Sequence, residues 1–262
     1  MIFPSLFDVT EAVRAAGEVV LRGASSKQVR QKGDSDYVTD SDVAVQEFLR
    51  RRLAEDHPHI GFFSEEETEH TLGGELCWVL DPIDGTMNFI RDLSLSAISL
   101  ALVRGGETLL AAVYNPFLGE MFSAEKGKGA FLNGERIHVG DKSELEGALA
   151  AFGTSPYYKP RTAECFDFYR ELFLACADVR RLGSAALDIC YVAAGRFDCY
   201  YEYVLSLWDF AAARLILSEA GGVITDPYGE PTGERKKCGV LAANAFLHPV
   251  LKDMIKKYRL EN

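Results

Sequence analysis

Residues 78–89 of this 262-residue chain read Trp-Val-Leu-Asp-Pro-Ile-Asp-Gly-Thr-Met-Asn-Phe. The apolar start predicts a short strand, which ends in Asp81 and Asp84 with a backbone-fixing proline between them. Gly85 permits close backbone approach, and Thr86 is placed to begin a helix whose first N–H groups suit a phosphate. Two carboxylates this close repel each other and raise one pKa unless a cation lies between them. The stretch therefore predicts a strand–turn–helix unit that binds a cation and a phosphate.

The ligand types indicate which cation this unit binds. Asp81, Asp84 and the carbonyl of Ile83 offer only oxygen, and the motif contains no histidine or cysteine. Oxygen ligands favour Mg²⁺ or Mn²⁺ over Zn²⁺. A structural Asp-Gly turn is the alternative interpretation, and the paired aspartates at a strand end favour the metal site over it.

Three further acidic places each have a structural interpretation as well. Asp42 follows Thr39 by three residues, and Asp209 follows Ser206 by three, which is the spacing of a helix capping box. Residues 65–67 are three glutamates after an apolar run and have the composition of a solvated loop. None of these places indicates a function by itself.

The segments around this unit alternate between helix and strand patterns. Before it, apolar spacing predicts helices over 5–22 and from 39 onward, with a polar loop over 22–36. After it, Gly105-Gly106 and Asn133-Gly134 predict hairpins of an antiparallel meander. From about residue 146, short strands alternate with helices predicted over 162–177, 185–194, 209–220 and 247–258.

These patterns predict an α+β or α/β protein with two lobes and no flexible linker. The N-terminal lobe, residues 1–145, contains a helix pair and an antiparallel meander and carries most of the candidate metal ligands. The C-terminal lobe, residues 146–262, is mixed α/β and carries Glu202 and Asp209.

Charge and composition exclude several classes of protein. Acidic residues number 39 and basic ones 28, so the formal charge is −11, whereas a protein that binds a duplex normally has a basic face. We therefore do not expect nucleic acid as a partner. We do not expect a membrane either, since the longest uncharged apolar stretch, 93–103, is far shorter than the ~20 residues of a membrane span. The N-terminus lacks the basic segment of a secretory signal. The six cysteines form no C-x-x-C pair, as is typical of reduced thiols, and we expect a cytoplasmic protein.

Residues 81–89 resemble the first signature of the inositol monophosphatase family, and residues 208–213 with 219–222 resemble its second. Residues 127–134 and 183–188 are similar to segments that lie between the two, and the resemblance runs in the family's order from Lys32 to about Gly222. It implies the layered αβαβα sugar-phosphatase fold, a lithium-sensitive hydrolase and a homodimer. One departure is Ser64, which replaces a glycine that often precedes two glutamates.

The resemblance also implies metal sites for two to three Mg²⁺ ions per subunit, with Mn²⁺ as a substitute. Glu66, Asp81 and the Ile83 carbonyl match ligands of the first ion. Asp81, Asp84 and Asp209 match those of the second, and a third ion is implied near Glu66. Asp42, Glu66 and Thr86 match the catalytic residues, of which Asp42 and Thr86 position water.

Substrate contacts follow from the same resemblance. The backbone amides of Gly85 and Thr86 would hold the phosphate, and Lys32 matches a lysine on a mobile loop. The full set of implied substrate contacts is Glu66, Ile83, Asp84, Gly85, Thr86, Gly183, Ser184, Ala185, Glu202 and Asp209.

The expected reaction is Mg²⁺-dependent hydrolysis of a small phosphorylated polyol or sugar, with myo-inositol monophosphate as the first candidate. We expect direct attack by water, because no nucleophile motif and no Walker-type glycine loop is present. One ion would acidify the water and another would stabilise the leaving oxygen. The alternatives are fructose 1,6-bisphosphate, a 3′-phosphoadenosine nucleotide or histidinol phosphate as substrate, or a non-catalytic, metal-binding regulator of the same fold.

Overall fold

In the computed structural model, which describes residues 3–25, 27–33, 36–67, 76–233, 235–258 and 260, the chain forms two large β-sheets, a hairpin and seven helices. The helices are α1 (Leu6–Gly23), α2 (Asp40–Asp56), α3 (Thr86–Ile90), α4 (Thr162–Ala175), α5 (Ala185–Ala193), α6 (Leu207–Glu219) and α7 (Leu247–Lys256). The strands are β1 (Val29–Gly33), β2 (Asp36–Thr39), β3 (Gly61–Ser64), β4 (Leu76–Asp84), β5 (Ala97–Arg104), β6 (Glu107–Asn115), β7 (Glu120–Glu125), β8 (Gly129–Leu132), β9 (Glu135–Ile137), β10 (Leu149–Phe152), β11 (Asp178–Arg180), β12 (Cys199–Ser206), β13 (Val223–Thr225) and β14 (Lys237–Ala243).

The larger sheet has seven strands in the order β3-β4-β5-β6-β7-β8-β9. Strands β3 and β4 are parallel, and every other neighbouring pair is antiparallel. The predicted turns at Gly105-Gly106 and Asn133-Gly134 join β5 to β6 and β8 to β9, and all four residues have positive φ. The predicted meander is therefore confirmed.

The second sheet has five strands in the order β11-β10-β12-β14-β13. Strand β10 is parallel to β11 and β12, whereas β14 is antiparallel to β12 and β13. This mixed sheet is the predicted C-terminal α/β arrangement.

Helices and sheets stack in five layers, because each helix buries an apolar stripe and each sheet two apolar faces. Helices α1 and α2 cover one face of the seven-stranded sheet, where Val13 and Leu49 belong to the same cluster as Trp78. Helices α5 and α6 fill the space between the two sheets, in a cluster that contains Val79, the strand neighbour of Trp78 on the opposite face. Helices α4 and α7 cover the outer face of the five-stranded sheet, around Tyr201. The expected αβαβα order is confirmed.

Three features differ from the prediction or extend it. The polar segment over 22–36, which was expected to be a loop, contains β1 and leads into β2. The sequence does not indicate β1, because all five of its residues are exposed and apolar and polar residues therefore do not alternate along it. Strand β14 is buried on both faces and therefore shows no period of two. The predicted boundary between the two lobes, near residue 145, falls between the strands of the two sheets. Helices α5 and α6 share a hydrophobic core with both sheets, so the division into two lobes stays a prediction. No helix in the described part of the chain is long and apolar enough to span a bilayer.

Candidate active site

A bulge at the end of β4 turns Asp81 and Asp84 toward the same cavity. On a regular strand, residues three apart point to opposite faces. Here Asp81 is opposite Ser99 on β5, whereas Asp84 is opposite Ala97, so β4 has one residue more than its partner. Such a bulge bends the strand and redirects its side chains. Both carboxylates consequently line one cavity.

Asp209 reaches this cavity from the first turn of α6. Its Oδ2 accepts a hydrogen bond from the backbone N–H of Ser206 at 2.6 Å and completes a capping box. Asp81, Asp84 and Asp209 each place one carboxylate oxygen within 4.8 Å of the other two. The capping interpretation of Asp209 is thus confirmed, and the same residue also joins the acidic cluster.

Burial makes this cluster electrostatically unfavourable without a cation. It raises the pKa of Asp81 and of Asp209 well above the usual value, and neighbouring carboxylates add to the shift. Burial also raises the pKa of Asp84 to about 6, although hydrogen bonds from the Ser184 hydroxyl (2.5 Å) and the Ala186 N–H (2.8 Å) oppose the shift. Three converging carboxylates, those of the buried Asp81 and Asp84 and of the half-buried Asp209, fit a hard divalent cation, which would compensate their charge.

Glu65, rather than the expected Glu66, lines the cavity with these aspartates. The Glu65 N–H donates to the Leu80 carbonyl at 3.2 Å and so continues the pairing of β3 with β4, which keeps its side chain beside Asp81. Its charge raises the pKa of both Asp81 and Asp209. Glu66 is the next residue of the turn and is not part of the cavity wall. The sequence could have indicated Glu65, because Ser64 stands where the family often has a glycine, and Glu65 then matches the first of the two glutamates that follow.

Lys32 connects the β1–β2 hairpin to both glutamates. Its ammonium lies 2.6 Å from Glu66 Oε1 and 3.1 Å from Glu65 Oε1. Burial lowers the pKa of Lys32, but the two glutamates raise it by more, so the net shift is upward. Burial also raises the pKa of Glu65 to about 7 in spite of Lys32. Lys32 is therefore positioned at the edge of the acidic cluster, as a charged partner of its glutamates.

Asp42 is a buried residue in the first turn of α2. Its Oδ2 accepts hydrogen bonds from the N–H and hydroxyl of Thr39, which confirms the predicted cap. Its Oδ1 is buried and has no hydrogen-bond partner among the described residues. Burial raises the pKa of Asp42 to about 7, and the charge of Glu66 adds to the shift. Asp42 does not line the cavity, and its buried Oδ1 is available to accept a hydrogen bond.

The turn after β4 has the predicted close backbone approach at Gly85 and the predicted helix start at Thr86. Gly85 has a φ of 85°, and a Cβ there would lie 3.0 Å from the Leu95 carbonyl oxygen and 3.1 Å from that of Gly183. Glycine is therefore required for both conformation and space. Thr86 begins α3, and its hydroxyl donates to the Ile83 carbonyl at 3.2 Å. All three predicted residues, Ile83, Gly85 and Thr86, line the cavity.

Glu202 is a buried carboxylate on β12, across the cavity from the turn. It accepts hydrogen bonds from the Ser155 N–H at 2.6 Å and the Tyr200 hydroxyl at 2.5 Å. Burial raises the pKa of Glu202, although these bonds lower it. Gly153 leaves space for the side chain, since a Cβ there would lie 1.9 Å from Glu202 Oε2.

The site consists of two adjoining cavities of about 260 Å³ and 190 Å³. They share Asp84, Gly85, Thr86, Tyr157, Glu202, Leu205 and Asp209. The predicted residues Gly183, Ser184 and Ala185 line the smaller cavity. Asp188, which ends the segment 183–188, also lines the smaller cavity but was not assigned to the site. Other lining residues were not predicted because no motif or spacing marks them: Tyr157, Tyr158, Arg181 and Lys237.

We expect the metal-free protein to lose stability as the pH rises from about 4 to about 7. The pKa values of Asp84, Asp42 and Glu65 in the folded state lie between about 6 and about 7, whereas those in the unfolded chain are about 4. The folded state therefore binds protons more tightly, and the associated stability is lost as the pH rises through this interval. Thermal unfolding in EDTA should show a Tm that falls from pH 5 to pH 7.5.

Saturating Mg²⁺ should raise the Tm more at pH 7.5 than at pH 5, because the cation binds ionised carboxylates. A matched series in NaCl of equal ionic strength separates binding from screening. A Mg²⁺-dependent increase in Tm that is larger at pH 5 would contradict this view of the cluster.

Comparison with known proteins adds an independent observation. The sequence profile of the inositol monophosphatase family matches residues 6–261. The chain is similar to an inositol-1-monophosphatase of Rhizobium meliloti (37% identity, 95% of each chain) and to the Nus factor SuhB of Salmonella typhimurium (39% identity, 85% of each chain). It is also similar to the solved structure of an IMPase from Thermotoga maritima, with a TM-score of 0.88 and 32% identity over 96% of each chain.

Proposed function

The chain belongs to the inositol monophosphatase family and is a phosphoric monoester hydrolase, and from this premise we propose that it hydrolyses myo-inositol monophosphate to inositol and inorganic phosphate with Mg²⁺. The observation that carries the proposal is the convergence of Asp81, Asp84 and Asp209 beside the Gly85–Thr86 turn. A polyol phosphate matches a site that has carboxylates for cations at one side and the buried Glu202 at the other.

Metal binding is proposed for residues that the geometry brings together. Asp81, Asp84, Asp209 and the Ile83 carbonyl would hold two Mg²⁺ ions, with Glu65 taking the part first assigned to Glu66. A third ion is proposed near Glu66, and Mn²⁺ is the proposed substitute. Bound divalent cations would supply positive charge to the phosphate and make water more acidic.

The protein's own groups perform the remaining tasks. The N–H groups of Gly85 and Thr86 would bind phosphate oxygens at the start of α3. The Thr86 hydroxyl and Asp42 would orient water, with Glu65 beside them as the candidate base in place of Glu66. Ser184 holds Asp84 by a hydrogen bond, so the segment Gly183–Ala185 would both position a carboxylate and contact the substrate.

Replacing Glu202 with glutamine should raise the KM for inositol monophosphate by roughly 10-fold, because hydrogen bonds to a charged acceptor are worth ~1.5–3 kcal/mol each. An aryl phosphate offers no hydroxyls to this carboxylate, so its KM should change much less. Steady-state kinetics on the two substrates give the ratio. A parallel loss on both substrates would place Glu202 among the metal-binding groups, and no loss on either would remove it from the site.

Lithium sensitivity is proposed from the resemblance to the family. Li⁺ held by Asp81, Asp84 and Asp209 would carry less charge than Mg²⁺ and stabilise the leaving oxygen less. We expect Li⁺ to inhibit without competing with substrate and more strongly than Na⁺ or K⁺. Initial rates at matched ionic strength test this expectation, and equal effects of the three salts would contradict it.

A regulatory role is the second candidate function, since a 39% identical relative is called a Nus factor. The acidic cluster favours a working phosphatase over a non-catalytic, metal-binding regulator. Phosphate release should be screened with and without Mg²⁺ over inositol monophosphate, fructose 1,6-bisphosphate, adenosine 3′,5′-bisphosphate and histidinol phosphate. The highest kcat/KM should be for inositol monophosphate. A higher kcat/KM for another of these compounds would make that compound the proposed substrate instead.

We also propose a cytoplasmic homodimer. All six cysteines are free, which suits a reducing compartment. The outer face of α4 exposes Phe166, Phe173 and Leu174, and a second copy would cover such an apolar surface. Light scattering measures the oligomeric state: a monomeric mass would contradict the proposal, and a dimeric mass that Leu174→Glu reduces to a monomeric one would support it.

A further inference from the structure

A third cavity lies apart from the active site, beside the C-terminal half of α6. It has a volume of about 620 Å³ and shares no lining residue with the two active-site cavities. Its walls come from the β5–β6 turn, from α6, from β13 and from residues 231–233. Arg214 of α6 and Lys126, which follows β7, are the cations among its lining residues. This cavity therefore offers positive charge at a place that the proposed hydrolysis does not use.

Arg214 forms no ion pair with a carboxylate in the part of the chain that the structure describes. Its guanidinium donates hydrogen bonds to the Thr232 hydroxyl at 3.2 Å, the Gly233 carbonyl at 2.7 Å and the Thr108 hydroxyl at 2.9 Å, which are all neutral acceptors. Burial lowers the pKa of Arg214, and the more distant charge of Glu107 offsets this only in part. A guanidinium has five N–H groups, so this one has both an uncompensated charge and donors for an anion.

The two carboxylates that line this cavity are already engaged by other groups. Glu219 accepts two backbone N–H hydrogen bonds of 2.7 Å each at the β7–β8 turn. Glu107 forms an ion pair with Lys126, where both side chains are about half exposed. That contact lowers the pKa of Glu107, and the charges of Arg104 and Arg214 lower it further. Three cations therefore act on one exposed carboxylate in a protein whose formal charge is −11, and such a local excess of positive charge favours an anionic ligand.

We infer that this cavity binds a phosphate dianion, with Arg214 as the principal ligand and Lys126 as a second cation. The inference does not depend on the proposed function, because neither residue lines the active site. A guanidinium matches phosphate oxygens with a planar fork of N–H groups, and an ammonium adds a point charge. Ser218 lies four residues after Arg214 on the same face of α6, and its hydroxyl and that of Thr232 add donors. Donors that come from several elements suit a tetrahedral oxyanion better than a planar carboxylate.

Isothermal titration calorimetry with inorganic phosphate, at pH 7.5 and constant ionic strength, tests the inference. In EDTA-treated protein the active-site carboxylates repel anions, so we expect one saturable site, the Arg214 cavity. Arg214→Gln should raise its Kd by about 10-fold, because the charged donors are lost. Glu107→Gln should lower the Kd by about threefold, because it removes a competing carboxylate and frees Lys126. Arg196→Gln is the matched control for net charge and should leave the Kd unchanged, since Arg196 pairs with Glu120 at 2.7 Å outside this cavity.

The opposite effects of the two variants separate a ligand site from a purely structural arginine, whose surroundings would not bind phosphate more tightly in Glu107→Gln. The inference is overturned if the wild type binds no phosphate in EDTA, if the Kd is unchanged in Arg214→Gln, or if it does not fall in Glu107→Gln. An equal rise in Arg196→Gln, or an equal affinity of the wild type for acetate, overturns it as well.

A second variant keeps the test valid if Arg214→Gln does not fold, which its Tm reveals. Lys126→Gln changes a half-exposed side chain and should raise the Kd by about threefold; an unchanged Kd would then overturn the inference. In saturating Mg²⁺ the proposed function predicts additional phosphate binding at the active site. The absence of this additional binding would count against the proposed function alone.

Discussion

Replacing Asp81 with asparagine should reduce turnover of inositol monophosphate by more than roughly 100-fold. That figure is the upper end for mutations of residues that only hydrogen-bond to a metal ligand. Asp81 is the only one of the clustered aspartates assigned to both proposed cations, so its loss weakens both sites. It is also a buried member of the cluster. Steady-state phosphate release over a range of Mg²⁺ concentrations measures the effect.

The stability of this variant distinguishes a lost ligand from a damaged fold. Asparagine has nearly the same shape and removes one of several repelling buried charges, so the Tm of Asp81→Asn in EDTA should equal or exceed that of the wild type. Near-native turnover at moderate Mg²⁺ would be incompatible with the two-cation assignment.

The second large effect on activity is expected when Glu65 is replaced by glutamine, and the same substitution of the neighbouring Glu66 should have a smaller effect. Glu65→Gln should lower kcat by roughly 100-fold or more, because Glu65 lines the cavity and is electrostatically linked to Asp81 and Asp209. Glu66→Gln should lower kcat by about 10-fold or less. It removes the same charge and a similar contact to Lys32, but Glu66 is not part of the cavity wall.

Each variant is the other's control for net charge and for the loss of a Lys32 partner. Metal affinity, measured by calorimetry, should fall more in Glu65→Gln than in Glu66→Gln. The reverse order in both activity and affinity would restore Glu66 as the ligand.

The sequence predicted those parts of the molecule whose signals are local. The strand, the close backbone approach at Gly85 and the helix start at Thr86 all follow from one short stretch, and the caps at Asp42 and Asp209 follow from three-residue spacing. These features depend on backbone geometry within a few residues, which a sequence pattern describes directly.

Features that depend on tertiary contacts were harder to predict. The difference between Glu65 and Glu66 is decided by one hydrogen bond to Leu80 on the neighbouring strand. The bulge that brings Asp81 and Asp84 to the same side depends on pairing with β5. Tyr158 reaches the cavity through contacts with Ser155 and Tyr203, and no spacing in its own segment indicates this position.

The central claim is that this acidic cluster makes the protein a cation-dependent phosphatase for a polyol phosphate. The most direct test is the release of inorganic phosphate from myo-inositol 1-phosphate by the wild-type protein as Mg²⁺ is titrated into an EDTA-treated sample. We predict no release above background in EDTA and a rate that rises with Mg²⁺ to saturation. Release that is independent of the cation, or no release at any concentration of Mg²⁺ or Mn²⁺, would contradict it.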